Sequence, residues 1–203
     1  KSELSDKGWY WARAPTRVGS IDSPRAWVVL SPPQSIAVGW RDNSSGQLSF
    51  GSGWTNLVSM EAGDTHTMAL RGDGTVLAVG GNDSGQSSVP SMSVRSVAAA
   101  AGSNHGLAVG ENGLVTAWGD NSFGQTNVPV GLSNVVAVAG GATHSVALRT
   151  DGSVVAWGGS DPAIALVPAT ATDVRAIAAA GTYSVAIRRD GTAIVWGSDI
   201  DVV

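Results

Sequence analysis

The sequence predicts an all-β fold, a β-propeller of about five 39-residue blades of three to four antiparallel strands. Three observations predict it. The first is a repeat: Trp40, Val79, Trp118, Trp157 and Trp196 stand 39 residues apart. The second is that other columns keep the same step, among them His66, His105, His144 and Tyr183, and the pairs Asp73-Gly74, Asn112-Gly113, Asp151-Gly152 and Asp190-Gly191. The third is local pattern: short alternating apolar runs around Asp-Gly or Asn-Gly read as hairpins, and helix signals are few. The 203 residues divide into five copies and a short tail. We place them at about 1–40 (degenerate), 41–79, 80–118, 119–157 and 158–196, with 197–203 left over, as a single domain.

Each element of one copy follows from its residues. A run such as VVAVAGG at 135–141 supplies a first strand. The stretch HSVALRTDGSVVAW from His144 supplies two more, joined at Asp151-Gly152. A two-residue turn with both central residues at positive φ is expected there. On the middle strand His144, Val146 and Leu148 share one face. Ala147 lies on the other, as do Ala69, Ala108 and Ala186 in its column. A large face and an alanine face let successive sheets stack closely. The segment ending at Pro90, Pro129 and Pro168 is expected to add a short edge strand that stops at proline.

The polar stretch WGDNSFGQTNVP from Trp118 recurs as WRDNSSGQ from Trp40 and VGGNDSGQSSVP from Val79. A catalytic site is usually single, whereas a scaffold element recurs. Asn43, Asn82 and Asn121, with the Gly-Gln pairs, are therefore read as holding the loop between blades. The oxygen-rich Asp-Asn-Ser triplets lack the alternating acids and late glutamate of a calcium loop. One histidine per blade makes a ring rather than a cluster, so hydrogen bonding is expected and no metal site. No Walker A loop, G-x-S-x-G elbow or H-E-x-x-H helix is present. No catalytic residue, cofactor or enzyme activity is assigned.

Composition bounds the partners. With 43% hydrophobic and 14% charged residues the chain can bury a core. No apolar run approaches a membrane span. The net charge of −4 and pI near 5.2 argue against nucleic acid. There is no cysteine, hence no disulfide or thiolate site. The absence of an initiator Met and of a signal pattern is read as that of a mature chain.

The pattern A-G-x-x-H-x-x-A-L-x-x-D-G-x-V-x-A-W-G-x-N-x-x-G-Q-x-x-V-P resembles the regulator-of-chromosome-condensation repeat. Its 39-residue form is similar to the bacterial branch that includes propeller-type β-lactamase inhibitors. The match is strong over about 55–197 and weak over 16–54. The resemblance implies a propeller, usually of seven blades, so five copies form either a tighter closed ring or an arc of a larger one. Meeting of the termini would close the ring. The exchange factors of this kind have longer repeats and basic tails, which this chain lacks. The inhibitors carry aromatics just before the histidine column, where this chain has Asp64-Thr65, Ser103-Asn104, Ala142-Thr143 and Gly181-Thr182.

Function is therefore sought where the copies differ. Trp9, Tyr10 and Trp11 have no aromatic counterpart in the later copies except Phe50, Trp54 stands in a column with Ser93, Leu132 and Ala171, and Phe123 replaces Ser45 and Ser84. Aromatics at such positions offer large contact area at low entropy cost. These five are the candidate partner-binding residues. The reading is a non-enzymatic, protein-binding bacterial propeller, secreted or at the cell surface. A structural, adhesive or self-associating module is the alternative. Sugar binding and β-lactamase inhibition rank below both.

Overall fold

The computed structural model describes residues 20–22, 26–31 and 36–198, with side chains from residue 37 onward apart from 38, 40 and 41. Within them lie β1 (Ser20–Asp22), β2 (Ala26–Ser31), β3 (Ile36–Arg41), β4 (Leu57–Ala62), β5 (His66–Arg71) and β6 (Val76–Gly80). Then follow β7 (Ser96–Ala101), β8 (His105–Gly110), β9 (Val115–Gly119), β10 (Val135–Gly140), β11 (His144–Arg149) and β12 (Val154–Gly158). A one-turn helix α1 (Pro162–Ala165) precedes β13 (Val174–Ala180), β14 (Tyr183–Arg188) and β15 (Ala193–Gly197). The strands form five antiparallel three-stranded sheets in chain order. First strands of successive sheets adjoin one another, β7 with β10 and β10 with β13, as blades do around an axis. The expected meeting of the termini falls outside the described residues.

The large-on-small stacking is found at each inner junction. Met68, Leu70 and Val76 of the second sheet pack on Ala108 and Trp118 of the third. Leu107 and Val109 of the third meet Ala147 and Trp157 of the fourth. Val146 and Leu148 of the fourth meet Ala186 and Trp196 of the fifth. Each fully buried aliphatic side chain contributes about 1.5–3 kcal/mol relative to exposure, and the alanine opposite leaves it room. Val-to-Ala alternation along one strand thus sets both the strand and its packing partner.

Two local expectations need correction. Each sheet has three strands; the segments ending at Pro90, Pro129 and Pro168 add no fourth. The hairpin turn is also different. Arg71 N–H donates to Thr75 O and Gly74 N–H to Arg71 O, at 2.9 Å each, so three residues form the loop. Only the glycine is left-handed, with φ of 84° at Gly74, 72° at Gly113, 80° at Gly152 and 88° at Gly191. This is a type I turn closed by a glycine bulge. The aspartate is there for its carboxylate: Asp73 Oδ1 accepts from Thr75 N–H at 2.9 Å, and Asp151 Oδ1 from Ser153 N–H at 2.9 Å.

A feature the repeat could not announce is a bulge in the first strand of the second to fifth sheets. Pairing slips between Leu57 and Ser59, Ser96 and Ala98, Val135 and Ala137, and Val174 and Ala176. The extra residue (Val58, Val97, Val136 or Arg175) is left exposed. A bulge adds twist, which suits strands that must fan outward.

Candidate binding surface

The loop after each sheet is rigid by construction. Asn121 Oδ1 accepts from Thr126 N–H at 3.0 Å, Asn82 Oδ1 from Ser87 N–H at 3.0 Å, and Asn43 Oδ1 from Leu48 N–H at 2.7 Å. The buried glutamines at 47, 86 and 125 turn back two residues, accepting from the backbone N–H of Ser45, Ser84 and Phe123 at 3.0, 2.9 and 2.9 Å. Gly46, Gly85 and Gly124, at φ near 80°, allow that reversal. Asp120 is committed as well, taking Ser122 N–H at 3.0 Å and Gln125 Nε2–H at 2.9 Å. Those hydrogen bonds, that of the Ser122 hydroxyl first, hold its carboxyl below the usual range. The donors satisfy the loop's oxygens from within.

Two of these loops are also fastened to the following sheet. Trp118 Nε1–H donates to Gln86 O at 3.0 Å and Trp157 Nε1–H to Gln125 O at 2.9 Å. In the last copy Ile164 stands in the glutamine column, fully buried on α1, and Trp196 Nε1 has no partner.

Phe123 sits at a loop position whose side chain the hydrogen-bond network does not use. Its backbone is fixed by Gln125, yet the ring is 47% exposed. On the equivalent connection of the next copy Leu166 is exposed too. Fixed backbone and free aromatic make a preorganised anchor.

Trp54 is a correction. It is 8% exposed and sits in a core cluster with Ala37, Leu57, Met60 and Ala69, tilted against Phe50 at a centroid distance of 4.8 Å. Its column is a core plug, filled by Leu132 and Ala171 in later copies. The departure lies at Ser93, which is exposed. The plugs follow a turn, Trp54 N–H to Gly51 O at 3.1 Å and Leu132 N–H to Pro129 O at 3.1 Å. They precede a left-handed residue, Asn56, Asn134 or Asp173. Arg95 replaces that residue, and its guanidinium instead donates to Gly72 O. A cavity of about 570 Å³ results between Asp73, Val76, Pro90, Met92 and Arg95. Trp9, Tyr10 and Trp11 lie outside the described residues.

The histidines link sheet to sheet. His105 Nε2 lies 3.0 Å from Ser145 Oγ, and His144 Nε2 lies 2.7 Å from Ser184 Oγ. Ser145 Oγ itself donates to Gln125 O at 2.8 Å, so the imidazole Nε2–H is the donor to the serine. Burial pushes all three histidines down to about 4, and each is neutral at pH 7. Each ring lies over a glycine of its own sheet; a Cβ at Gly63, Gly102 or Gly141 would meet the imidazole at 2.2, 2.0 or 2.1 Å. The fifth sheet has Ala180 in that column, and its Tyr183 stands outward. His66 faces Gly106 in the serine column, and both its nitrogens lack partners. Among the described residues no three His, Asp or Glu gather as metal ligands.

The pattern described as the Regulator of chromosome condensation (RCC1) repeat matches residues 57–86, 94–125 and 135–161. A comparison with curated protein sequences finds no match. Solved structures share the fold. The ectodomain of an Arabidopsis thaliana receptor kinase is 22% identical at TM-score 0.73, over 90% of this chain and 65% of its own. That of a Physcomitrella patens receptor kinase is 20% identical at 0.72, over 86% and 49%. Prp20p from Saccharomyces cerevisiae is 21% identical at 0.67, over 85% and 56%. The chain thus spans about half to two-thirds of the length of these proteins. Sheets in sequence order, the histidine and tryptophan columns and these likenesses together identify a β-propeller fold built of regulator-of-chromosome-condensation-like repeats.

Proposed function

We propose that the chain is a non-enzymatic protein-binding module that engages its partner through the loop rim carrying Phe123. The observation that carries this reading is the exposed ring on a loop whose backbone and polar side chains are already hydrogen-bonded. Such an anchor loses little entropy on binding. Trp9, Tyr10 and Trp11 join the proposed surface on sequence grounds alone. Propellers of this fold support a protein partner: the yeast protein is described as binding Gsp1p and histones, and as a complex with Kap60. The receptor ectodomains among proteins of this fold support a secreted or surface-exposed setting, and the resemblance of the compact 39-residue repeat to bacterial propellers supports a bacterial source. β-Lactamase inhibition is disfavoured because small and polar residues precede the histidine column.

Phe123→Ser tests the reading, since serine is the repeat's own residue at positions 45 and 84. Native and variant chains are used as baits against surface and secreted fractions of the source organism. A partner retained by the native chain and lost by the variant, with equal melting temperatures, is expected. Equal retention by both would remove Phe123 from the interface.

A further inference from the structure

The cavity beside Met92 stands where other copies place a core side chain. Val115 and Val128 pack in one cluster with Leu132, and Val154 and Val167 in one with Ala171. Val76 and Val89 hold the same columns at the junction of the second and third sheets, and both line the cavity of about 570 Å³. What is missing between them is an inward-turned side chain rather than a large one. Ala171 is as small as Ser93, yet it is only 6% exposed, and its N–H closes a turn to Pro168 O at 2.8 Å. Ser93 makes no such bond and is exposed. Met92, half buried against the cluster of Met68 and Trp118, covers part of the gap.

The lining says what would fill it. Its size falls within the range of about 300–1,000 Å³ of ligand pockets. Val76, Val89, Pro90 and Met92 make an apolar wall. The preceding copy packs an indole at this register, Trp54, with Phe50 in the column of Val89. A flexible thioether such as that of Met92 adapts to a ring and attracts it. The charge beside the wall is positive. The stem of Arg95 crosses Gly74, where an added Cβ would meet its Cγ at 2.0 Å, and its guanidinium donates to Gly72 O. Among the described residues Arg95 has no ion pair with an acid. Asp73, the acid in the lining, is already balanced by Arg71 at 3.1 Å. Ser91, Ser93 and Arg95 are exposed along the rim, so a chain lying across it can lower one side chain into the cavity.

The geometry points to a peptide-docking site at this junction, in which the cavity takes an aromatic side chain of a partner segment and Arg95 pairs with a carboxylate beside it. The aromatic supplies the core contact that Ser93 leaves unmade. The carboxylate meets a guanidinium whose fork is only partly used. The Asp73-Gly74 turn lies at the end of the sheets opposite the Phe123 loop, so the two surfaces are separate.

Isotopic labelling of the methionine methyl groups tests this, because the chain has three methionines and Met60 and Met68 are buried outside the cavity lining. Titration of the full chain with the capped peptide acetyl-Trp-Asp-amide is expected to shift the Met92 methyl signal saturably, by the ring current of the bound indole. Acetyl-Ala-Asp-amide should leave it in place. Acetyl-Trp-Asn-amide should bind about two- to fivefold more weakly, the range of an exposed ion pair, and Arg95→Gln should erase that difference. Ser93→Leu combined with Arg95→Asn restores the residue types of positions 132 and 134. It should raise the melting temperature and abolish the shift. Phe123→Ser should bind the peptide as the native chain does. An unmoved Met92 methyl overturns the proposal. So does equal binding of the Asp and Asn peptides, undiminished binding by the refilled double variant, or loss of binding in Phe123→Ser. Arg95 is exposed, so Arg95→Gln keeps the test decisive even where the double variant does not fold.

Discussion

The carbonyl oxygen of Gln125 accepts two buried donors from the following sheet, Trp157 Nε1–H at 2.9 Å and Ser145 Oγ–H at 2.8 Å. One loop atom thus fixes a tryptophan and, through Ser145, the imidazole of His105. Trp157→Phe keeps most of the buried area and removes one donor, so it should cost about 1–2 kcal/mol. Trp157→Ala also opens a cavity and should cost about 3–5 kcal/mol. Denaturant melts of the two would separate hydrogen bond from packing.

His66 and Gly106 test the same linkage where it is broken. A Cβ at Gly106 would lie 2.5 Å from the Trp118 ring and 2.9 Å from Met68 Sδ. Gly106→Ser alone should therefore destabilise. Combined with Met68→Leu, which frees space, the serine can accept from His66 as Ser145 does from His105. A double-mutant cycle should show favourable coupling of about 1–3 kcal/mol. Zero coupling would mean that Met68 is not what excludes the hydroxyl.

Acid should unfold the protein through the histidines. Their folded values lie near 4 against an ordinary 6.5, so the unfolded chain binds more protons between those limits. Stability is then complete above pH 6.5 and declines as pH falls toward 4. Glu61 acts in the opposite sense: burial raises it from 4.5 to about 7, and its contribution is complete below 4.5 and fades as pH rises to 7. Glu61→Gln should steepen the acid decline, and a pH series of melts measures both slopes.

Trp54 and Phe123 should part company in the same assay. Trp54→Ala should cost about 3–5 kcal/mol as a core truncation. Phe123→Ser should leave the melt within about 0.5 kcal/mol of native, as an exposed substitution does. The reverse ranking would exchange their roles.

Much of this was legible because the copies are in register. Strand faces, the tryptophan column and the asparagine-glutamine loop all follow from residues that recur with one function. The role of Trp54 is hidden in the sequence because an unusual residue type in a column looks like a surface departure. Size alone does not reveal burial, and Leu132 and Ala171 fill the same space. The turn was misread because Asp-Gly permits two geometries, and the strands' end-to-end pairing selects the longer loop. The first-strand bulge is the same in the second to fifth copies, so no comparison among them exposes it. The joint change of Gly141 to Ala180 and His144 to Tyr183 was readable in principle. It needed the knowledge that the ring rests on the glycine.

Because the Gln86 and Gln125 loops are fastened to the sheets that come after them, a strand triplet is not the modular unit of this chain. A cassette cut from Gly119 onward would carry its own loop and the sheet that loop roofs, ending before the next connection. One cut at Val135 would leave Trp157 and Ser145 without the Gln125 carbonyl. Duplication or transplantation of repeats should therefore succeed at the first boundary and fail at the second, although both preserve every strand.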